Sequence, residues 1–149
     1  MPISRILRTN HSVRYPSALR YAAVARRAVY EYARAHGLSE DACQDMRFAV
    51  GEAIANALEH GHREGTYFSV RCTWEGRDLV VEVEDDGPGY DPSRSEGAEK
   101  PANSMRGYGM TIMRALTDRV AYQDKGRAVR LFKFVGAEKA PESRAADAP

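Results

Sequence analysis

Apolar residues recur along this chain with two periods, and the switch between them marks out its elements. Over residues 40–60, Met46, Val50, Ala53, Ile54, Ala57 and Leu58 fall on one broad face at about 100° per residue, which predicts an amphipathic helix. Ser39, followed by Glu40 and Asp41, supplies an N-cap with acids in the first turn, and Gly61 supplies the stop. An earlier helix is predicted to start at Pro16, which suits a first helical turn, and to run to about His36, where Gly37 ends it. Period two takes over in TYFSVRCTW (66–74). There Phe68, Val70, Cys72 and Trp74 face one way, while Tyr67, Ser69, Arg71 and Thr73 face the other. DLVVEVED (78–85) puts Leu79, Val81 and Val83 on one side, and EGR (75–77) turns the chain between the two runs. The pair reads as a hairpin with one buried face, hence antiparallel.

The rest of the chain is less regular. ISRILRT (3–9) reads as a short strand, and DDGPGYDP breaks the second strand of the hairpin. Residues 93–106 are small and polar without periodicity, which predicts a mobile loop. GMTIMRALTD reads as a helix, VAYQ as a short strand, DKG as a turn and RAVRLFKF as a last strand. From Ala137 onward the chain is too poor in large apolar side chains to pack. The expected fold is α+β: a two-layer sandwich of a mainly antiparallel mixed sheet with helices on one face. One domain is expected over residues 1–136, with a disordered tail at 137–149.

Composition narrows the function classes without choosing one. At 149 residues, 43% hydrophobic and 29% charged, the chain suits one globular domain. A net charge of +1 leaves no overall footprint for nucleic acid or an anionic membrane. Cys43 and Cys72 are far apart, so reduced thiols are expected rather than a disulfide framework. MPISRILRTN lacks the apolar stretch of a signal peptide, and no run approaches the about 20 apolar residues needed to span a bilayer. A soluble cytoplasmic domain is expected.

Three stretches carry polar groups that packing alone does not ask for. Opposite the apolar face of the 40–60 helix stand Glu52, Asn56, Glu59 and His60. Alone, that row also suits a solvated face. Yet an exposed helix face favours Lys, Arg and Glu, and Asn is a poor helix former. An Asn held between a Glu and a His fits an oxygen ligand for a hard ion such as Mg²⁺, which takes few protein ligands. In DDGPG (85–89), a tight turn by itself, two glycines flanking a proline let a ligand approach the backbone. Asp85 there can accept a hydrogen bond from an amino group such as adenine's. In MRGYGMTIM (105–113), Gly107 and Gly109 precede a helix, where backbone N–H groups can face an anion and Arg106 can add a charge-assisted bond. Alone, this stretch equally suits a linker. It is neither a P-loop nor a dinucleotide fingerprint, since neither GxxxxGK[ST] nor GxGxxG occurs.

Other features are set aside. HSVRYP (11–16) matches the H-x-x-R-x-P pattern of a phosphorylated histidine, but only ten residues precede His11. His60-Gly61-His62 has no Cys or third His placed to complete a metal site. Tyr15, Tyr21, Tyr30 and Tyr32, assigned to the first helix, read as packing or an interface rather than a stacking platform for bases.

In order and in context, Glu52–Asn56–His60–Gly61, Asp85–Gly87–Gly89 and Gly107–Gly109 resemble the three ATP-binding boxes of the GHKL (Bergerat-fold) ATPase superfamily. RGYGMTIMRALTDRV is most similar to the single-domain anti-sigma-factor serine/threonine kinases, and the resemblance covers about residues 3–135. It implies an ATP- and Mg²⁺-dependent kinase with Glu52 as general base, Asn56 as Mg²⁺ ligand and Asp85 as the adenine-reading carboxylate. Gly87 and Gly89 would let adenine and ribose pack on the backbone. Gly107, Tyr108, Gly109 and Met110 would hold phosphates with Arg106 as a partner, His60 would join the nucleotide-binding set, and residues 93–106 would form the ATP lid. The implied partners are a sigma factor and a STAS-type antagonist bearing the phosphorylated Ser or Thr, with the chain a homodimer and neither nucleic acid nor membrane contacted directly. The alternatives are a non-catalytic nucleotide-binding or interaction module of a partner-switching system, or a catalytic domain acting in a histidine phosphorelay. One departure favours the module: the family usually has Gly-Thr before the last strand, with the Thr helping Asp85 hold adenine, and here Gly126 is followed by Arg127.

Overall fold

The computed structural model describes residues 9–61, 66–86, 109–123 and 127–135. Helix α1 (Leu19–Ala35) buries Ala25, Val29, Tyr32 and Ala33, the spacing of a single inward stripe. It ends where Gly37 takes φ +92°. There the Leu38 and Gly37 N–H groups donate to the Ala33 and Arg34 carbonyls, the paired bonds of a Schellman stop. Helix α2 (Glu40–Gly61) starts as its sequence predicts, with the Ala42 N–H donating to Ser39 Oγ at 3.1 Å. Met46, Val50, Ala53, Ile54 and Ala57 are all buried, and Leu58 packs against the same core.

Five strands make one sheet in the order β1-β2-β3-β5-β4, and all four pairings are antiparallel. Strands β2 (Tyr67–Glu75) and β3 (Asp78–Asp85) form the expected hairpin, closed by Gly76 at φ +60°. Helix α3 (Gly109–Leu116) leads into β4 (Arg119–Gln123), which pairs with β5 (Ala128–Phe134). The α2 helix lies across β2, β3 and β5, with α1 and α3 packed on either side of it. No helix among the described residues is long and apolar enough to cross a membrane.

The N-terminal segment departs from expectation. Strand β1 is His11–Pro16, paired with β2, and the helix begins only at Leu19. Pro16 therefore ends an edge strand rather than opening a helix, a position where its missing N–H breaks no interior ladder. Tyr15 belongs to this strand, buried and stacked on Phe68 at 5.2 Å between ring centroids. The strand expected at 3–9 falls largely outside the described residues, as do the 93–106 loop and the 137–149 tail.

Both faces of the central strands are covered, where the pattern predicted one. Val80 is as buried as Val81, and it pairs with buried Phe132 on the side away from the helices. The Arg119 and Arg130 guanidinium carbons lie 4.3 and 5.2 Å from the centroid of the Phe132 ring, shielding it from water.

Candidate nucleotide-binding cleft

Asp85 is the last residue of β3, and alternation along the strand puts it on the helix side with Leu79, Val81 and Val83. A carboxylate thus stands where the apolar pattern calls for another valine, and only 8% of it is exposed. Its cross-strand neighbour is Phe68, and its own N–H donates to the Arg127 carbonyl at 3.0 Å. Above it runs the second half of α2. Because Ala53 and Ala57 are small, the helix approaches the sheet closely, and a cleft opens between them, lined by Ala53, Asn56, Ala57, Val83, Asp85 and Arg127.

One turn back along α2, Glu52 meets the start of α3. A Cβ added to Gly109 would stand 3.2 Å from Glu52 Oε1 and 3.6 Å from both Asn56 amide atoms. A side chain there would make the Glu52 carboxylate give way by a few tenths of an ångström, so glycine lets α3 start close against it. The first N–H groups of α3, which have no partner within the helix, sit at the same end of the cleft as Glu52 and Asn56. The other end of α3 is anchored. Lys133, buried on the helix side of β5, donates to the Leu116 carbonyl at 2.8 Å and to Asp45 of α2 at 3.1 Å. The Thr117 hydroxyl donates back to the Met113 carbonyl at 2.6 Å. Strand β5 and α2 together thereby fix where Gly109 falls.

Asn56 joins two pairings: it lines the cleft with Asp85, and with Glu52 it stands against Gly109. Met110 lies in the first turn of α3, partly buried. The backbone of His60 lies in the last turn of α2, and its side chain falls outside the described residues, as do Gly87, Gly89, Arg106, Gly107 and Tyr108. Arg127 was visible in the sequence only as a departure from a family pattern, yet it lines the cleft beside Asp85. Lys133 was missed as a positioning residue. The alternation of β5 carried the signal, since Val129, Leu131 and Lys133 share its inward face.

The donor set suits a nucleotide carrying a hard metal ion. No group of three His, Cys, Asp or Glu able to hold a metal occurs among the described residues. A magnesium ion does not need one, since a single oxygen such as that of Asn56 leaves its remaining positions to water and phosphate. Both cysteines are buried, and burial pushes the Cys72 thiol up to about 12, which removes it from nucleophilic chemistry near neutrality. The cleft itself is narrow, about 10 Å³, whereas a groove of about 450 Å³ between α1 and α2 is lined by Arg26, Arg27 and Arg47 and shares no residue with it. Size does not make the groove the site, because the carboxylate, amide and glycine lie elsewhere.

Residues 15–133 match the family described as "Histidine kinase-like ATPase domain". Among similar proteins, the "Anti-sigma F factor" of Thermoanaerobacter sp. (strain X514) is 29% identical over 105 residues, covering 64% of this chain and 72% of that protein. The "Serine-protein kinase RsbW" of Listeria monocytogenes serovar 1/2a (strain ATCC BAA-679 / EGD-e) is 27% identical over 144 residues, 89% of this chain and 91% of that protein. Among solved structures, that of the RsbU and RsbW domains of Rv1364c from Mycobacterium tuberculosis superposes with a TM-score of 0.58 at 17% identity. It covers 87% of this chain, which spans about a third (33%) of that longer one. At that identity the likeness is one of fold.

Proposed function

The chain belongs to the histidine kinase-like ATPase domain family, and on that premise we propose that it is an ATP-dependent anti-sigma regulatory kinase. It binds a sigma factor and transfers the γ-phosphoryl group of ATP to a Ser or Thr of an antagonist protein. The observation that carries this reading is the place of Asn56, which lines one cleft with Asp85 and, with Glu52, meets the Gly109 start of α3. The names and coverage of the two relatives support the partner class.

Phosphoryl transfer asks chiefly for positioning and charge neutralisation. Bound Mg²⁺–ATP supplies the phosphoryl group and most of the neutralising charge. Asp85 accepts from the adenine amino group, and Asn56 offers its amide oxygen to the metal. The N–H groups opening α3 face the phosphates. Glu52 accepts the proton of the attacking hydroxyl. In this reading the chain works in the cytoplasm as a homodimer.

The test is phosphate transfer from γ-labelled ATP to a purified STAS-type antagonist. The expected product is an acid-stable phosphoprotein, abolished by Glu52→Gln while ATP still binds, and weakened by Asp85→Asn through lost binding. Acid-labile label would point to a histidine relay instead. ATP binding without any transfer would leave a non-catalytic module.

A further inference from the structure

The β3–β5 ladder runs in strict register from Asp78 opposite Phe134 to Glu84 opposite Ala128. Its next rung is Asp85 opposite Arg127, closed by the bond from the Asp85 N–H to the Arg127 carbonyl. Directly opposed residues of an antiparallel pair project to the same face. The rung two below, Val83 opposite Val129, is buried against the helices, so Asp85 and Arg127 both project to that side. Both line the same cleft. The Arg127 Nε is buried and has no hydrogen-bond partner among the described residues. A buried donor in a native fold calls for an acceptor, and Arg127 is one of the residues that line the cleft.

The two side chains have opposite hydrogen-bonding character. A carboxylate only accepts, while a guanidinium only donates. The adenine edge presents the complementary pattern, an exocyclic amine that donates, flanked by the ring nitrogens N1 and N7 that accept. We propose that Arg127 is a second base-reading residue, donating to the ring nitrogen beside the amine that Asp85 accepts from, so that adenine is held at two points. The inference rests on the cleft being the ATP site, and it gives Arg127 a positive role where the sequence marked only a departure.

The test is a set of calorimetric titrations with ATP, 1-deaza-ATP and 7-deaza-ATP, each lacking one candidate acceptor. Wild type, Arg127→Met, Arg127→Lys and Asp85→Asn are compared. Wild type should bind one deaza analogue at least about tenfold more weakly than ATP, the usual effect of losing a hydrogen bond to a charged donor. Arg127→Met should bind ATP more weakly by a similar factor and lose the discrimination, and Arg127→Lys should keep part of it. The ratio is taken within each variant, so a merely structural disturbance does not move it. Should Arg127→Met fail to fold, Arg127→Thr serves in its place. If Asp85→Asn weakens ATP binding while discrimination is unchanged in Arg127→Met, the inference falls and the ATP site stands. Arg127→Met binding all three nucleotides more tightly would mean that Arg127 fills the pocket, which also overturns it. No nucleotide binding by wild type would overturn both.

Discussion

The two halves of α2 share one backbone and divide the labour of the protein between them. From Glu40 to Val50 the helix is a structural pillar. Ser39 caps it, Cys43, Met46, Ala49 and Val50 are fully buried, and Asp45 meets Lys133. From Gly51 onward the inward positions facing the end of β3 shrink to Ala53 and Ala57, while the half-buried Glu52 and Asn56 border the cleft and α3. The firm half holds the polar half in position. A helix can present an amide and a carboxylate at fixed positions because its other end is locked into the core.

If this division is right, substitutions in the first half should cost stability and those in the second half function. The largest stability effect is expected from Met46→Ala. It leaves a cavity at a side chain with 0% exposure and should cost about 2–5 kcal/mol, read as a lower denaturant midpoint. Nucleotide affinity of the fraction still folded should be unchanged. Lys133→Met tests the join between the halves. It removes the donor to Leu116 and leaves Asp45 without that partner, at about 1–3 kcal/mol. Because α3 is then loosened, nucleotide affinity should fall as well, a combination that Met46→Ala lacks.

Gly109→Ala inverts the pattern. Alanine is the better helix former, so the melting temperature should hold or rise. The new Cβ would press on Glu52 Oε1, and phosphate transfer should drop by roughly ten- to a hundredfold, as a displaced catalytic group does. Equal transfer by this variant would separate Glu52 from the chemistry. The smallest effect at neutral pH comes from Cys72. Its thiol is raised by burial from 9.0 to about 12, so the stability that its neutral form contributes is complete below pH 9 and is lost as pH rises toward 12. Urea midpoints of wild type and Cys72→Ala should therefore run parallel below pH 9 and diverge above it, with wild type falling faster.

Local pattern made most of this legible. The α2 face, the Ser39 cap, the β2–β3 hairpin and the Gly37 stop all follow from spacings within a few residues. Glu52, Asn56, Asp85 and Gly109 are ambiguous one stretch at a time, and only the resemblance of the three stretches, in order, to the ATP-binding boxes singles them out. What spacing could not supply was partnership over distance. Pro16 suits either a helix start or the end of an edge strand, and only pairing with β2 decides between them. Val80 reads as outward until Phe132, 52 positions later, is seen opposite it. Lys133 falls on the inward face of β5 by alternation, but its partners, Asp45 and the Leu116 carbonyl, are visible only in the fold. Arg127 gains its meaning only from the rung it shares with Asp85.

The metal–nucleotide site proposed for the second half of α2 rests above all on Asn56. It is tested most directly by titrating ATP into wild type and Asn56→Ala with and without Mg²⁺, alongside thermal melts. The account predicts that wild type binds ATP more tightly with Mg²⁺, and that Asn56→Ala loses this dependence at an unchanged melting temperature. An Asn56→Ala variant whose ATP binding still tightens with Mg²⁺ as in wild type would contradict it.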